Sequence, residues 1–172
     1  MSHAKELLAL AEQHDLSSNA AKRRCISTAY YAIFHRVIEC IVQRFTPGDN
    51  LHAQNMARRA LAHTVLKNIC YKLAPKPGQP PGRPVAIPVS WADAGYRDSE
   101  HVDEKLSSLA SKISEAHYWR EQADYDLQRA VTEYEAEQQI ERAREVFAKI
   151  EEGPQEPQWT LFLASLMFDG RK

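Results

Sequence analysis

The chain has 172 residues, of which 44% are hydrophobic and 26% charged, and its 22 basic and 23 acidic residues give a net charge of -1. This composition excludes collagen-like, disordered and disulfide-rich chains and fits one soluble globular domain with a buried core. The sequence shows no run of about 18 apolar residues and no signal-peptide pattern, and its three cysteines fit reduced thiols, so we expect a cytoplasmic protein that does not enter a membrane.

Charge is unevenly distributed along the chain. Residues 1–90 hold 12 basic and 5 acidic residues, whereas residues 91–172 hold 10 basic and 18 acidic residues. Such asymmetry indicates a surface for a polyanion or charge-complementary association, or else basic and acidic helices that lie side by side in one fold.

Helical periodicity is evident from the start of the sequence. Residues 4–14 form a short amphipathic pattern, and Ser17 or Ser18 is a suitable N-cap for a second helix over residues 19–45. This second helix has the strongest periodicity in the chain, and we expect it to be the spine of a helical core. Its apolar side carries Ile26, Ala29, Tyr30, Ile33, Phe34, Val37, Cys40 and Ile41.

A third helix is predicted over residues 50–73, and a proline-rich segment follows it. Six of the nine prolines lie within residues 74–90, a density that disfavours both a helix and a central strand. We interpret residues 74–98 as a loop inside the domain that connects two helices. The alternative is a docking segment for a partner or a flexible lid.

Two further helices complete the predicted core. The fourth is predicted over residues 99–122. The fifth is predicted over residues 132–150, and it begins with a capping box formed by Thr132 and Glu135.

No strand pattern and no internal repeat stand out, so we predict an all-α fold: an up-and-down bundle of about five helices over residues 1–153. Residues 154–172 follow as an apolar extension. Its residues 157–168 form either a small helix that closes the core or an exposed patch for another chain.

A second stripe runs along the second helix, opposite its apolar side. Arg24, Thr28, Tyr31 and His35 have the spacing of one helix face, and Ile38 and Val42 extend the same line. This mixture indicates a site or an interface, although a solvated polar face with stray apolar residues is the alternative.

Two strings in these helices resemble the HEPN superfamily. Residues 26–35, which read ISTAYYAIFH, resemble the "RAYYAAFH" helix of that superfamily, and residues 118–126, which read YWREQADYD, resemble its "RxxADYD" element. The acidic fifth helix also resembles the last helix of that branch. The resemblance covers roughly residues 4–150.

The resemblance implies a helical bundle that forms a homodimer and belongs to a prokaryotic defence or toxin–antitoxin system. Some members cleave RNA without a metal through an Arg/His motif, and others bind RNA or nucleotides, often beside a nucleotidyltransferase or an antitoxin. The motif is incomplete here, because Thr28 stands where the helix pattern has Arg and Tyr125 stands where a nuclease has His. Whether the chain is an enzyme therefore stays open.

If the chain cleaves RNA, the resemblance gives His35 the acid/base role, Arg24 or Arg120 the contact with phosphate, and Tyr31 a positioning role. The candidate residues for binding RNA or a nucleotide are Lys22, Arg23, Arg24, Thr28, Asp124 and Tyr125.

The basic run 22–24 near a helix N-terminus is either a phosphate contact or a solvated cluster. His117, Arg120 and Asp124 share one helix face, where an Arg–Asp pair is more often a structural bridge than a site. A literal Arg-x4-His match at Arg58 and His63 lies on the third helix, outside the position that the family uses.

We expect neither a metal nor a cofactor, because no His, Cys or carboxylate cluster has ligand spacing. The alternative function is a non-catalytic helical interaction module. It would use the stripe from Arg24 to Val42 as a dimer interface and the apolar tail, with Trp159, Phe162 and Phe168, as a docking element.

Overall fold

The computed structural model describes residues 2–48, 50–75, 84–96, 101–154 and 156–169, and this part of the chain is helical and has no β-strand. The all-α prediction is confirmed. The helices of the described residues are α1 (His3–Glu12), α2 (Asn19–Phe45), α3 (Leu51–Ala60), α4 (His63–Leu73), α5 (Val89–Asp93), α6 (Glu104–Tyr125), α7 (Glu133–Glu152) and α8 (Gln158–Phe168).

The predicted second helix and α2 have the same bounds. The Ser18 hydroxyl accepts a hydrogen bond from the Ala21 N–H at 3.1 Å, so Ser18 is the N-cap. The capping box of α7 is also confirmed: the Thr132 N–H donates to the Glu135 carboxylate at 2.9 Å, and the Glu135 N–H donates to the Thr132 hydroxyl at 3.2 Å.

The predicted third helix is two helices, α3 and α4, because the backbone is extended at Leu61 and Ala62. At about 100° per residue, an unbroken helix would direct the buried Ala57 and Leu61 away from the side that carries the buried residues of α4. The break lets both sets of side chains be buried. Those of α4 are Leu66, Ile69, Cys70 and Leu73.

The interpretation of residues 74–98 as a loop is wrong for part of its length, because the short helix α5 lies within it. Trp91 of α5 is fully buried and contacts the Tyr96 ring at 5.3 Å between centroids. Pro75 and Pro84 form an isolated antiparallel bridge. Residues 76–83 and 97–98 of the predicted loop lie outside the described residues.

The predicted fourth helix begins later and ends later than expected, as α6 from Glu104 to Tyr125. The first residues of the prediction, 99 and 100, lie outside the described residues. The extension at the other end matters for the site, because it brings Asp124 and Tyr125 into the last turn of a helix.

The chain divides into two compact units. The first consists of Met1–Arg36 and Glu115–Ala148, and the second of Val37–Ser114 and Lys149–Lys172. In the first unit, α1 and the start of α2 pack with the end of α6 and most of α7. Its two apolar clusters consist of Cys25, Ile26, Ala123, Val131 and Ala136, and of Ala4, Ala32 and Phe147.

The second unit contains the apolar tail as a helix. α8 contacts α3, α4 and α5, and its Phe162, Leu163 and Leu166 are buried. Of the two alternatives for this segment, the helix that closes a core is therefore correct. Phe168 alone of its predicted docking aromatics is exposed, at 57%, since Trp159 is half-buried and stacks on Phe162.

Ile38 and Val42 are also buried, with exposed fractions of 6% and 8%. They were expected to face a second subunit, and their burial within this chain removes that argument for an interface along α2. The polar part of the stripe therefore ends at His35, and within it Arg24 is exposed whereas Tyr31 and His35 are half-buried.

By length and composition, α2 is the one helix among the described residues that could cross a membrane, and 78% of its apolar window is buried inside the chain. The core helix of a soluble protein meets the same two criteria. The finding therefore does not identify a membrane span.

Replacing Phe34 by Ala tests the core assignment of α2. Phe34 is 7% exposed, as expected for its stripe, so the Phe34→Ala variant should lose about 3–5 kcal/mol in free energy of unfolding, measured by chemical denaturation. The control is Phe168→Ala, which removes the same ring from an exposed position and should change stability by about 0.5 kcal/mol or less. Equal losses in the two variants would contradict the assignment.

Candidate functional site

The predicted site residues converge in the first unit, where α2 and α6 run side by side. The hydroxyl of Ser27 donates a hydrogen bond to one oxygen of the Asp124 carboxylate, and the Arg120 guanidinium lies 2.7 Å from the other oxygen. Arg120 also donates to the Tyr31 hydroxyl at 3.3 Å. These contacts form one polar chain of four side chains, which crosses from α2 to α6, passes between two residues of α6 and returns to α2.

Arg120 is the centre of this chain. Its side chain is 15% exposed, and its guanidinium lies 5.8 Å from the Tyr31 ring and 5.3 Å from the Tyr125 ring. Burial opposes the charge, but the hydrogen bond with Tyr31 and the charge of Asp124 outweigh it, so the pKa of Arg120 is raised. The predicted Arg–Asp bridge is thus confirmed.

Two tyrosines of the α6 end face solvent. Tyr118 and Tyr125 are seven residues apart, on one face of the helix, and are 54% and 70% exposed. An exposed aromatic ring beside a held guanidinium is a surface on which a planar group can stack.

His35 lies one helical turn from Tyr31 on the same face of α2. It is half-buried, and its ring makes an edge-on contact with His3 of α1 at 4.6 Å between centroids. A second edge-on contact, at 5.8 Å, is with the neighbouring Phe34 ring. His3 is therefore a neighbour of this site.

Thr28 and Arg24 occupy the other end of the stripe. Thr28 is buried, and its hydroxyl donates to the Arg24 carbonyl at 2.8 Å, whereas the Arg24 side chain is exposed. Arg24 and His35 are about 16 Å apart along α2, at 1.5 Å per residue. Arg120 contacts Tyr31, which lies one helical turn from His35.

Arg23 has a role that local sequence patterns do not reveal. Its guanidinium donates to the carbonyls of Gln122 at 3.4 Å, Ala123 at 2.6 Å and Asp126 at 2.6 Å, and also to that of Arg129. The carbonyls of Gln122 and Ala123 lie in the last turn of α6, where the helix dipole is negative, and those of Asp126 and Arg129 lie in the turn that follows. The Arg23 guanidinium is therefore used within the fold, which makes Lys22 and Arg24 the better candidates of the basic run for a phosphate contact.

The turn between α6 and α7 is held from several sides. The Asn19 side chain accepts the Val131 N–H at 2.8 Å, and the Asp126 carboxylate accepts the Arg129 N–H at 3.3 Å. Arg129 stacks on Trp119 at 4.7 Å and pairs with Glu135. The hydrogen bond from the Thr132 N–H, aided by Arg129, lowers the pKa of Glu135.

The remaining candidates lie apart from this site. His117 is 4% exposed, with its ring 5.3 Å from Tyr30 and 3.5 Å from the Glu121 carboxylate, so it does not share an accessible face with Arg120. The Arg58/His63 match falls across the break between α3 and α4 in the second unit.

The cysteines are free thiols and all three are buried. Burial raises the pKa of Cys25 to about 11 and raises that of Cys70 as well, so neither is an activated nucleophile. Within the described residues, no group of three or more His, Cys, Asp or Glu side chains is placed to hold a metal ion.

Comparison with protein-family models, with curated proteins and with solved structures finds no match for the chain. The HEPN resemblance therefore rests on the sequence, chiefly on the two strings in α2 and α6 and also on the acidic helix that follows them. These strings contribute Ser27, Tyr31, Arg120 and Asp124, the four side chains of the polar chain described above.

Removing the carboxylate of Asp124 tests the polar chain. In the Asp124→Ala variant the Arg120 charge loses its counter-ion and the Ser27 hydroxyl loses its acceptor, so we expect a loss of about 1–3 kcal/mol in free energy of unfolding. The matched control is Glu141→Ala, since Glu141 pairs with Arg144 at 3.1 Å on an exposed surface and should contribute less than about 1 kcal/mol. If the Asp124→Ala variant loses no more free energy of unfolding than the Glu141→Ala variant, the polar chain does not join α2 and α6.

Proposed function

We propose that this chain is a HEPN-like protein that binds RNA or a nucleotide on the first unit, at the face formed by α2 and the end of α6. The observation that carries the proposal is the Arg120 guanidinium between two tyrosine rings, one of which, Tyr125, is 70% exposed. Such a ring suits a nucleobase, because base–aromatic stacking supplies much of the affinity of proteins for single strands.

Different side chains of this face suit the base and the phosphate of a nucleotide, because their charges are paired to different extents. Asp124 already pairs with Arg120, so Arg120 serves mainly to hold the tyrosines. Arg24 is exposed and Lys22 half-buried on the first turns of α2, and they are the cations suited to a phosphate. Tyr125 would then contact the base.

The proposal is limited to binding. Cleavage through the family's motif needs an Arg and a His together on one phosphate, with the His as acid or base. In this chain Arg120 pairs with Asp124, and the His35 ring contacts His3 and Phe34. The role in a prokaryotic defence or toxin–antitoxin system, and a homodimer or a partner antitoxin or nucleotidyltransferase, are implied only by the resemblance.

Salt dependence of RNA binding tests the proposal. Affinity for a fluorescently labelled single-stranded RNA, measured by anisotropy with EDTA present, should fall steeply as salt rises, because each phosphate contact releases counter-ions. Arg24→Ala should lower the slope of log affinity against log salt by about 0.7, the value for one phosphate of a single strand.

The matched control is Arg144→Ala. It removes the same charge from an exposed position of the first unit, where Arg144 pairs with Glu12 at 2.9 Å, and it should leave the slope unchanged. Equal slopes in the two variants would contradict the proposed phosphate contact. Absence of binding at low salt would overturn the function itself and favour the non-catalytic interaction module.

A further inference from the structure

At the end of α6 and in the turn that follows it, large side chains are exposed although side chains hold the backbone through several hydrogen bonds. Tyr125 and Leu127 are 70% and 76% exposed. Turns that expose such side chains usually have mobile backbones. Here the carbonyls and N–H groups on both sides of the two residues are bound by side chains of α2 or of the turn itself.

Arg23 makes the largest contribution to this set. One terminal nitrogen of its guanidinium reaches the last turn of α6, at Gln122 and Ala123, and the other reaches the turn, at Asp126 and Arg129. Tyr125 lies between these two pairs of anchor points. Only the planar, forked guanidinium presents donors in both directions from one side chain, and a lysine ammonium cannot reproduce that geometry.

We propose that Arg23 is the positioning residue of this site: through four backbone carbonyls it holds the Tyr125 ring as a preformed platform on which an unpaired nucleobase stacks. The inference rests on the proposed function and adds to it the class of ligand and the residue that controls affinity without touching the ligand. Because the backbone on both sides of Tyr125 is already held, less conformational freedom is lost when the base binds.

The geometry favours an unpaired base. In a duplex each base is covered on both faces by its neighbours, so a single exposed tyrosine cannot reach one without unstacking it. A single-stranded RNA and a free nucleotide share the required chemistry, which is one accessible base beside one phosphate.

A double-mutant cycle tests the inference. Affinities for a labelled 12-nucleotide oligouridylate are measured for the wild type, Arg23→Lys, Tyr125→Ala and the double variant. Tyr125→Ala should weaken binding by about 5–100-fold, the range for loss of one stacked base. Arg23→Lys keeps the charge and should weaken binding at least about 3-fold, yet add no further loss when Tyr125 is already Ala.

Arg144→Lys is the control, because it makes the same substitution at an exposed position of the first unit, where Arg144 pairs with Glu12 at 2.9 Å. It should leave the affinity within about 2-fold of the wild type, since Arg144 has no part in the proposed site. Unlabelled uridine monophosphate and a 12-base-pair RNA duplex are added as competitors. If the mononucleotide competes, the site is a nucleotide site. If the mononucleotide does not compete and the oligonucleotide binds tightly, the site is an RNA site. If the duplex binds as well as the single strand, the inference is overturned.

The outcomes separate the inference from the function on which it rests. If the wild type binds no RNA at low salt, the proposed function fails. Suppose that the wild type binds, but that Arg23→Lys lowers the affinity by the same factor in the Tyr125→Ala background as in the wild type. Arg23 then acts on the fold as a whole, and the inference fails. If circular dichroism shows that Arg23→Lys does not fold, the same cycle is run with Asp126→Ala, which loosens the turn at its hydrogen bond to the Arg129 N–H.

Discussion

The carboxylate of Asp124 joins two helices of the first unit from within a partly buried position. One oxygen takes the Ser27 hydroxyl of α2, and the other takes the Arg120 guanidinium of its own helix. Since Arg120 then reaches back to Tyr31 of α2, the register of the two helices is fixed at two successive turns. A one-turn slip would leave a charged group without its partner, which costs more than the loss of an ordinary neutral hydrogen bond.

This register places the accessible groups of the face. With Asp124 bonded to Ser27, the end of α6 lies beside the start of α2, where the Arg23 guanidinium meets the carbonyls that the helix leaves unpaired. Tyr125, the last residue of α6, then stands beside Arg120 with most of its ring in solvent. The polar chain supports the fold, and the tyrosine and the exposed Arg24 are the groups that the proposed function assigns to the ligand.

The sequence allowed α2 to be predicted with its observed bounds, because Ser18 caps it and its apolar stripe continues until Thr46, Pro47 and Gly48 end it. The break at Leu61 was missed since neither glycine nor proline marks it, and the rotation of the apolar stripe between α3 and α4 was its only local signal. Ile38 and Val42 were expected to be accessible, because the side of a helix opposite its apolar stripe is taken to lie outside the core along the whole helix. From residue 37 onward, α2 belongs to the second unit, and both of these side chains are buried there.

The Arg–Asp pair of the site could be predicted because its two members lie four residues apart on one helix. The contacts of Arg23 could not be predicted, since they join side-chain donors to backbone carbonyls about 100 residues later in the chain, and carbonyls have no sequence signature. The pairing of Ser27 with Asp124 has the same long separation. It could have been found only from the order in which the two HEPN-like strings lie on antiparallel helices.

Photochemical crosslinking to a 4-thiouridine oligonucleotide shows which unit contacts RNA, and under the proposed function that is the first unit. After digestion with trypsin and mass spectrometry, we expect the crosslinked nucleotide on residues 121–129, the peptide that contains Tyr125, and on residues 25–36, the peptide that contains Tyr31 and His35. Crosslinks confined to residues 37–112, in the second unit, would contradict the account.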